Sequence, residues 1–353
     1  MTKTTLSPVK AGLCSYGMSG RVFHAPFLDC LPEFELAAVT ERHAKKAADR
    51  YPDIHSYDTI DALLADDQLE LIIVNTPNTT HYPLVKTALT AGKHVVVEKP
   101  FAATYTEAQE LAQLAEKTDR LLVVFQNRRW DSDFLAVREI LDQRRLGQLI
   151  EAEFHYDRYR VDPSPKMHKE QAAPGVGLIY DLGPHLIDQA ISLFGKPDAV
   201  FAQVQSHRPG SQVDDYLALH LLYPTVNCTV KSGLLVREPL PAYVLHGTLG
   251  SFHKSRSDVQ ETELDKGSNP CAPGWGTEPE TEAGLLHTTE NGIDLRTRVP
   301  SPKGRYQEFY LGVYRSLRQG TPSPVPLADS LLNMQIIEAA LESQQKRSVI
   351  ALH

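Results

Sequence analysis

Hydrophobic positions follow two different patterns along the chain. Up to about residue 125, short β-branched apolar runs alternate with longer segments of helical period, which is typical of successive strand–helix units. Such units build a parallel sheet that helices cover on both faces, so this half is predicted to be a doubly wound α/β domain. The predicted strands are residues 9–15, 34–40, 69–75, 94–98 and 121–125, and the predicted helices are residues 59–65, 82–91 and 106–117.

The pattern changes after a predicted helix at residues 131–143. Consecutive strands favour an antiparallel sheet and an α+β domain. The stretch 255–302 is rich in Gly, Pro, Glu and Thr, which predicts long surface loops around one short hairpin. We therefore expect two domains, 1–127 and 128–353, with C-terminal helices that can pack back on the first domain. The strands predicted here are 149–159, 199–207, 217–222, 228–236 and 243–247, and the C-terminal helices are 306–319 and 327–346.

Composition and charge narrow the classes of function. The 353 residues include 36 Lys+Arg and 44 Asp+Glu, a formal net charge of -8, and no basic run. This balance argues against a general electrostatic grip on nucleic acid or on an anionic membrane. Residues 1–10 lack the pattern of a signal peptide, and no apolar run reaches the length of about 18 residues of a membrane span. We expect a cytoplasmic protein without a nucleic-acid or membrane partner.

Four cysteines, Cys14, Cys30, Cys228 and Cys271, lie far apart in the sequence. They form no CxxC pair, and no histidine stands at zinc-finger spacing from them. The expectation is buried free thiols, with neither a disulfide framework nor a metal site.

A glycine-rich turn follows the first predicted strand. Ser15, Gly17, Met18, Ser19 and Gly20 have the GxGxxG spacing, with serine at the first position. In a dinucleotide-binding fold, this turn lets the backbone approach a pyrophosphate at the N-terminus of the next helix. An ordinary strand-to-helix turn is the alternative, but the position at the first strand favours cofactor binding. Serine in place of the first glycine is expected to cost some backbone strain.

Two charged residues end the second predicted strand, about 20 residues beyond the glycine-rich turn. An acid at this point, here Glu41, would hold the ribose hydroxyls of NAD, whereas an arginine, here Arg42, would hold the phosphate of NADP. A solvated charge pair at a strand end is the alternative interpretation. The choice between NAD and NADP stays open.

Two further predicted strands end in polar residues, where ligands bind in open α/β sheets. One ends at Asn75 and is followed by Thr76, Pro77, Asn78 and His81; the next ends in Glu98, Lys99 and Pro100. A lysine at such a strand end can exchange a proton with a substrate hydroxyl. A surface turn with a solvated lysine is the alternative.

A third candidate segment contains Asp181, Gly183, Pro184, His185 and Asp188. If a helix begins there, Asp181 and His185 share one face, and Asp188 is placed to orient the imidazole. Proline suits the first turn of a helix. A histidine held by a carboxylate can take the proton of a hydroxyl group while its carbon loses a hydride. An Asp N-cap beside a packed histidine is the structural alternative.

Taken in order, these motifs resemble the Gfo/Idh/MocA family of nicotinamide-dependent oxidoreductases over nearly the whole chain. Further segments, residues 21–26, 127–134 and 157–160, resemble the branch that holds scyllo-inositol dehydrogenases. The resemblance implies a Rossmann domain followed by an α/β domain with an open, mostly antiparallel sheet, and a homodimer or homotetramer. It also implies that Lys99 and His185 serve the reacting hydroxyl of the substrate, with Asp181 in support, and that NAD or NADP is the cofactor.

Substrate contacts are predicted from the segments that join the two domains. Asn127, Trp130, Arg158 and Tyr159 offer polar or aromatic groups where a cleft would form, and a polyol needs several hydrogen-bond partners. Core packing for Trp130 and ion pairing for Arg158 are the alternatives. Trp275 and Tyr306 are further candidates.

The first functional hypothesis is a cytoplasmic NAD(P)-dependent dehydrogenase that acts on the CH–OH group of an inositol or sugar-like polyol, without a metal ion. A reductase of another sugar-like carbonyl compound is an alternative, because a fold does not determine a function. A dinucleotide-binding sensor without turnover is the third hypothesis. The joint presence of Lys99, Asp181 and His185 favours catalysis over sensing.

Overall fold

The structure, a computed structural model, describes residues 6–164, 170–290 and 292–353. Within these ranges the chain divides into two compact units that interleave in sequence. Unit 1 contains the described residues up to Asn127 together with Gln260–Trp275 and Arg305–Ala328. Unit 2 contains the described residues of Arg128–Val259, Gly276–Gly304 and Asp329–His353. The first unit thus takes two segments from the last hundred residues of the chain.

Unit 1 is built around a parallel sheet, as predicted. In the described part of this unit the sheet has six strands in the order β3-β2-β1-β4-β5-β6. The central strand β4 is apolar and fully buried, which is expected when helices cover both faces. The strands are β1 (Val9–Leu13), β2 (Phe34–Thr40), β3 (His55–Tyr57), β4 (Leu71–Val74), β5 (His94–Val97) and β6 (Leu122–Val124).

Helices connect these strands in the predicted places. A π-helical turn, Gly20–His24, follows the glycine-rich turn and leads directly into the first helix. Gly92 follows the third helix with a left-handed φ of 75°, the conformation of a residue that terminates a helix. The helices of this unit are α1 (Ala25–Cys30), α2 (Ile60–Leu64), α3 (His81–Thr90), α4 (Tyr105–Thr118), α8 (Gln260–Asp265) and α9 (Gln307–Gln319). They are numbered along the whole chain, so α5 to α7 belong to unit 2.

Unit 2 contains a mixed, mostly antiparallel sheet, so the predicted fold class is confirmed. Over the described residues of this unit the sheet has nine strands in the order β14-β13-β12-β11-β7-β10-β9-β8-β15. β7 and β10 pair in parallel, and the other neighbours pair antiparallel. The strands are β7 (Leu149–His155), β8 (Ala199–Gln205), β9 (Tyr216–Leu222), β10 (Asn227–Gly233), β11 (Tyr243–Gly247), β12 (Gly250–Lys254), β13 (Gly284–Glu290), β14 (Ile293–Val299) and β15 (Ile350–Ala351).

The helices of unit 2 are α5 (Ser132–Asp142), α6 (Leu178–Asp181), α7 (Gly183–Phe194) and α10 (Leu327–Lys346), the last of which begins at the end of unit 1. α7 is buried along nearly its whole length, from Gly183 to Ile191. The apolar side chains of β7 at Ala152 and Phe154 are also fully buried, and they form part of the core of this unit.

Several elements differ from the predictions. The strand predicted at 149–159 ends at His155, and Tyr159 makes one isolated bridge to Leu235. The stretch predicted as loops, 255–302, contains α8, and its hairpin strands β13 and β14 span seven residues each. Three strands, β3, β12 and β15, have no counterpart among the predicted strands.

The prediction of four free thiols is wrong for one pair. Cys30 and Cys271 form a disulfide within unit 1, although 241 residues separate them in sequence. The folded chain brings their Cα atoms to 6.1 Å, a proximity that sequence spacing cannot reveal. Cys14 and Cys228 are buried free thiols, as predicted, and burial raises the pKa of the Cys14 thiol to about 12.

Among the described residues, no helix is both long and apolar enough to cross a membrane. The predicted absence of a leader at residues 1–10 lies partly outside the described residues, which begin at residue 6.

Candidate active site

The glycine-rich turn lies directly after β1 in unit 1. A Cβ atom at Gly20 would lie 2.3 Å from the Ser15 carbonyl oxygen and 2.7 Å from the Asn75 side-chain nitrogen, so only glycine fits there. Gly17 and Met18 are exposed at the start of the helical segment, where their backbone can approach a pyrophosphate. The turn therefore fits the dinucleotide that its sequence predicts.

Ser15 takes the place of the first glycine without the expected strain. Among the described residues, the non-glycine residues with a left-handed φ are Asp119, Arg144 and Arg347. The Ser15 hydroxyl instead accepts a hydrogen bond from the Gly17 backbone N–H at 3.1 Å. The Asn75 side chain donates to the Ser15 carbonyl at 2.8 Å. Serine thus stabilises the turn through its own side chain, as serine does in short turns.

Glu41 and Arg42 have opposite surroundings at the end of β2. Glu41 is 7 % exposed, and its carboxylate accepts hydrogen bonds from the backbone N–H groups of Lys46 and Ala47 at 2.7 and 3.2 Å. The Ser56 hydroxyl donates to its other oxygen at 2.9 Å. Arg42 is exposed. Glu41 therefore stabilises the loop after β2, and its role toward a ribose stays a prediction.

The turn after β4 is ordered by its own side chains. The Thr80 hydroxyl donates to the Pro77 carbonyl at 2.6 Å, and the hydroxyls of Thr76 and Thr80 lie 2.7 Å apart. His81 is fully buried, with Nδ1 2.8 Å from the Pro100 carbonyl and Nε2 2.9 Å from the Thr76 carbonyl. Burial lowers the pKa of His81. His81 therefore links the Thr76 turn to Pro100, and its contact with the cofactor stays a prediction.

Lys99 follows β5, as predicted, and its neighbour Glu98 is held by several groups. The Glu98 carboxylate accepts hydrogen bonds from the Ser19 hydroxyl and from the Lys99 backbone N–H, the latter at 3.2 Å. His24 Nε2 lies 3.1 Å from the same carboxylate. Burial alone would raise the pKa of Glu98, but the bonds from His24 and Ser19 lower it to about 2. Glu98 is therefore ionised and joins the glycine-rich turn to the lysine.

The predicted residues Asp181 and His185 lie at a junction of two helices in unit 2. Asp181 ends α6, Leu182 separates the helices, and His185 lies in the first turn of α7 beside Pro184. The expected single helix is thus two helices, with proline in a first turn as predicted. His185 is buried.

Asp188, which was predicted to orient His185, is held by an arginine. Its two carboxylate oxygens accept hydrogen bonds from Arg129 Nε and Nη2 at 2.8 and 2.7 Å, a bidentate pair. Arg129 Nη2 also lies 2.9 Å from Asp329. Asp188 is therefore part of a buried ion-pair cluster that ties α7 to the start of α10.

The predicted substrate residues have different environments. Asn127 is buried at the end of unit 1, and Trp130 is half-buried in the turn that follows. The Arg158 guanidinium lies 5.1 Å from the Tyr156 ring, and Tyr159 is exposed beneath the Arg237 guanidinium at 4.0 Å. These contacts are all compatible with a binding role, which stays a prediction for each residue.

Trp275 and Tyr306, the further candidates, are core residues of unit 1. Trp275 is 4 % exposed and Tyr306 is fully buried, and both pack against Phe27 with ring centroids 5.8 and 6.5 Å away. Their burial among aromatic rings favours a packing role for both residues.

Sequence reasoning missed two residues next to this site. His24 and Tyr310 are buried and hydrogen-bonded to each other at 2.7 Å, although 286 residues separate them. The histidine stands four residues beyond the glycine-rich turn, in the segment 21–26 that resembles the scyllo-inositol dehydrogenase branch. No local pattern pointed to the tyrosine.

Comparison with known proteins identifies the family. Residues 9–126 match the oxidoreductase family with an NAD-binding Rossmann fold, named Gfo/Idh/MocA, and residues 138–352 match the C-terminal α/β domain of the same family. The chain belongs to this family. It is therefore an NAD(P)-binding oxidoreductase, and the predicted class of dehydrogenases acting on CH–OH groups is confirmed.

Individual relatives cover almost the whole chain. An uncharacterized oxidoreductase of Schizosaccharomyces pombe is 40% identical over 98% of this chain and 100% of its own length. The scyllo-inositol 2-dehydrogenase (NADP(+)) of Bacillus subtilis is 35% identical over 98% of this chain and 96% of its own. The crystal structure of an oxidoreductase from Bacteroides fragilis is 45% identical, with a TM-score of 0.90 over 98% of this chain and 100% of that one. The resemblance to the scyllo-inositol dehydrogenase branch is thereby confirmed.

Proposed function

We propose that this Gfo/Idh/MocA protein is a dehydrogenase that interconverts a secondary alcohol and a ketone on an inositol or sugar-like polyol, with scyllo-inositol as the first substrate to test. The observation that carries this proposal is the position of Lys99 at the carboxyl end of β5, beside an ionised Glu98 that also bonds the glycine-rich turn. The inositol substrate is taken from the relative of Bacillus subtilis, which is 35% identical.

The residues of unit 1 supply the cofactor site in this proposal. The backbone of Gly17 and Met18 meets the pyrophosphate at the N-terminus of the helical segment, and Gly20 keeps the turn close to β1. Thr76, Pro77 and Asn78 line the next strand end. The bound nicotinamide would accept or return the hydride.

Three side chains carry the proton chemistry. Oxidation of a secondary alcohol removes a hydride from carbon and a proton from the hydroxyl group, so the protein must accept that proton. We assign the proton to Lys99 Nζ and His185, with Asp181 in support, because an amine and an imidazole both exchange protons near neutral pH when suitably placed. Asn127, Trp130, Arg158 and Tyr159 are the proposed partners of the remaining hydroxyl groups.

Oligomeric state and compartment complete the proposal. We propose a homodimer or homotetramer in the cytoplasm, on the resemblance given above. Size-exclusion chromatography with light scattering tests the assembly.

The test of this function is the absorbance of reduced nicotinamide after the protein is mixed with NAD or NADP and a panel of inositols and aldoses. The expected result is reduced cofactor with scyllo-inositol or a close stereoisomer. Lys99→Met should lower turnover about 100-fold or more, the usual scale for loss of an acid–base group. The matched control is Lys117→Met, at an exposed lysine of α4, which should leave turnover unchanged. Full turnover in Lys99→Met would contradict the assignment.

A further inference from the structure

A buried polar chain runs behind Glu98 in unit 1, and the proposed chemistry does not use it. His24 Nε2 lies 3.1 Å from Glu98 Oε1, and His24 Nδ1 lies 2.7 Å from the Tyr310 hydroxyl oxygen. The Tyr310 hydroxyl in turn donates to the Phe23 carbonyl oxygen at 2.7 Å. Tyr310 comes from α9, so a late segment of the chain reaches the carboxylate that precedes Lys99.

This chain lies in an apolar environment. His24 and Tyr310 are both fully buried, and the side chain of Glu98 is 13% exposed. The Phe125 ring lies 4.6 Å from the imidazole, and Phe27 stacks on Tyr310 at 5.1 Å. In such surroundings, a polar group without a hydrogen-bond partner costs free energy. Each polar proton of this hydrogen-bonded series therefore points at an acceptor.

The hydrogen bonds determine where the protons lie. A tyrosine hydroxyl has one proton, and the Phe23 carbonyl can only accept, so that proton points at Phe23. The Tyr310 oxygen must then accept from His24, which places a proton on Nδ1. On the other side, the Glu98 carboxylate already accepts from the Ser19 hydroxyl and the Lys99 N–H, and it accepts from Nε2 as well. Both ring nitrogens therefore carry protons, and His24 is an imidazolium.

We propose that His24 and Tyr310 are positioning residues: Tyr310 holds His24 as a buried imidazolium, and His24 fixes the Glu98 carboxylate that aligns Ser19 of the glycine-rich turn with the Lys99 backbone. The ion pair of His24 and Glu98 thereby fixes the positions of both the glycine-rich turn and the proposed catalytic lysine. The effect on catalysis rests on the proposed function, whereas the protonation state of His24 does not.

The ion pair depends on both ring protons of His24. The titratable groups around it are Glu98, Lys99, Tyr310 and His81, whose charges interact with Glu98 or with each other across β5 and α9. When His24 loses one proton, either the bond to Tyr310 or the bond to Glu98 loses its hydrogen. Glu98 then has no buried cation beside its Oε1 atom, and the alignment of Ser19 and Lys99 relaxes.

Nitrogen NMR of the histidine rings tests the protonation state directly. In protein labelled with nitrogen-15 histidine, the two His24 nitrogens should both show imidazolium shifts at about pH 7, because the Tyr310 oxygen and the Glu98 carboxylate each accept a proton from the ring. His24→Gln assigns the signals by their loss. Tyr310→Phe assigns them a second way, because it perturbs the signals of its partner ring. A ring with one unprotonated nitrogen at about pH 7 would overturn the proposal, whether or not the protein turns over any polyol.

The pH profile tests the positioning role. Tyr310→Phe removes the acceptor of the Nδ1 proton, so the alkaline limb of kcat/KM should move down by about one pH unit. Dinucleotide affinity at about pH 8 should fall with it, because Ser19 loses its alignment. A purely structural role would lower the melting temperature and leave the limb in place, which would contradict the proposal.

The matched control is Tyr314→Phe, one turn further along α9, whose hydroxyl donates to the Leu6 carbonyl at 3.2 Å. This variant should keep the wild-type pH profile and dinucleotide affinity. An equal shift in both variants would assign the effect to general loosening of α9 and would overturn the role of Tyr310.

Discussion

Neighbouring residues Glu41 and Arg42 are placed to act differently on the cofactor. The Glu41 carboxylate accepts hydrogen bonds from the N–H groups of Lys46 and Ala47. Arg42 is exposed at the strand end where an adenosine ribose is expected. Arg42→Ala should therefore weaken NADP by about tenfold and leave NAD nearly unchanged, because a guanidinium–phosphate contact is worth more than about 1 kcal/mol.

Calorimetric titration with each dinucleotide measures this difference. The nearby Arg50→Ala, also at an exposed arginine, serves as the control for loss of general positive charge. Equal losses for NAD and NADP in Arg42→Ala would remove the phosphate-binding role of Arg42.

Glu98 makes the free energy of unfolding depend on pH in the acidic range. Its pKa is about 2 in the folded protein against an ordinary value of 4.5, because His24 and Ser19 outweigh the effect of burial. The unfolded state therefore binds the proton more readily, and the stabilisation is complete above pH 4.5 and is lost as the pH falls toward 2.

A denaturant series measures this contribution. Between about pH 6 and about pH 3, Glu98→Gln should lose less stability than the wild type, by roughly 1–2 kcal/mol. Glu116→Gln, at an exposed glutamate of α4, should follow the wild-type acid dependence. Parallel acid curves for Glu98→Gln and the wild type would show that the folded pKa of Glu98 is ordinary.

At this scale the sequence could predict residue types and strand ends but not partners. Gly20 and Lys99 stand where the motifs place them, since strand-end positions follow from local patterns. The engagement of Asp188 by Arg129, and of His24 by Tyr310, depends on residues far away in the chain. Periodicity gives no information about such pairs.

Among the elements, α7 is anchored by the ion pair of Asp188 and Arg129. Asp188 is 1% exposed, and burial raises its pKa while Arg129 lowers it. Asp188→Asn should lower the free energy of unfolding by about 3 kcal/mol, because it leaves a buried arginine with an incomplete partner. The control is Asp329→Asn, at a side chain that is 27% exposed and contacts Arg129 once, which should cost less.

Chemical denaturation of both variants, with kcat measured beside it, separates the two roles considered for Asp188. Unchanged stability together with a large fall in kcat would mean that Asp188 orients His185 after all.

The regular elements could be predicted where the pattern was long. Strand β2 and helix α10 have the predicted bounds, and α4 differs by one residue at each end. β3 is too short, at three residues, for alternation to be visible. β12 begins at a glycine and ends at Lys254. This lysine is buried, and its Nζ atom lies 2.7 Å from the Glu278 carboxylate. A buried lysine looks polar in sequence, so this strand was missed.

At the scale of the whole molecule, the interleaving of the two units could not be read from the sequence. Gln260–Trp275 and Arg305–Ala328 belong to unit 1, although both follow the strands of unit 2 in the chain. The predicted boundary at residue 127 rested on a change in the hydrophobic pattern. Such a local pattern does not show which later segments of the chain pack with the first unit. The Cys30–Cys271 disulfide joins one returning segment to α1.

This disulfide gives a prediction for unit 1. Denatured protein should show two reactive thiols before reduction and four after it. Reduction should lower the free energy of unfolding by about 2–4 kcal/mol, because the bridge closes a long loop of the unfolded chain. Cys271→Ser should have the stability of the reduced wild type and should not respond to reductant. Four reactive thiols in the unreduced protein would contradict the bridge.

In the proposed reaction, the protein transfers a hydride between a polyol carbon and nicotinamide. The most direct measurement is mass spectrometry of the reduced cofactor formed from scyllo-inositol that carries deuterium on its ring carbons. We expect deuterium in the reduced nicotinamide ring, formed by the wild type and much more slowly by Lys99→Met. Reduced cofactor without deuterium, or none from any deuterated inositol or aldose, would contradict it.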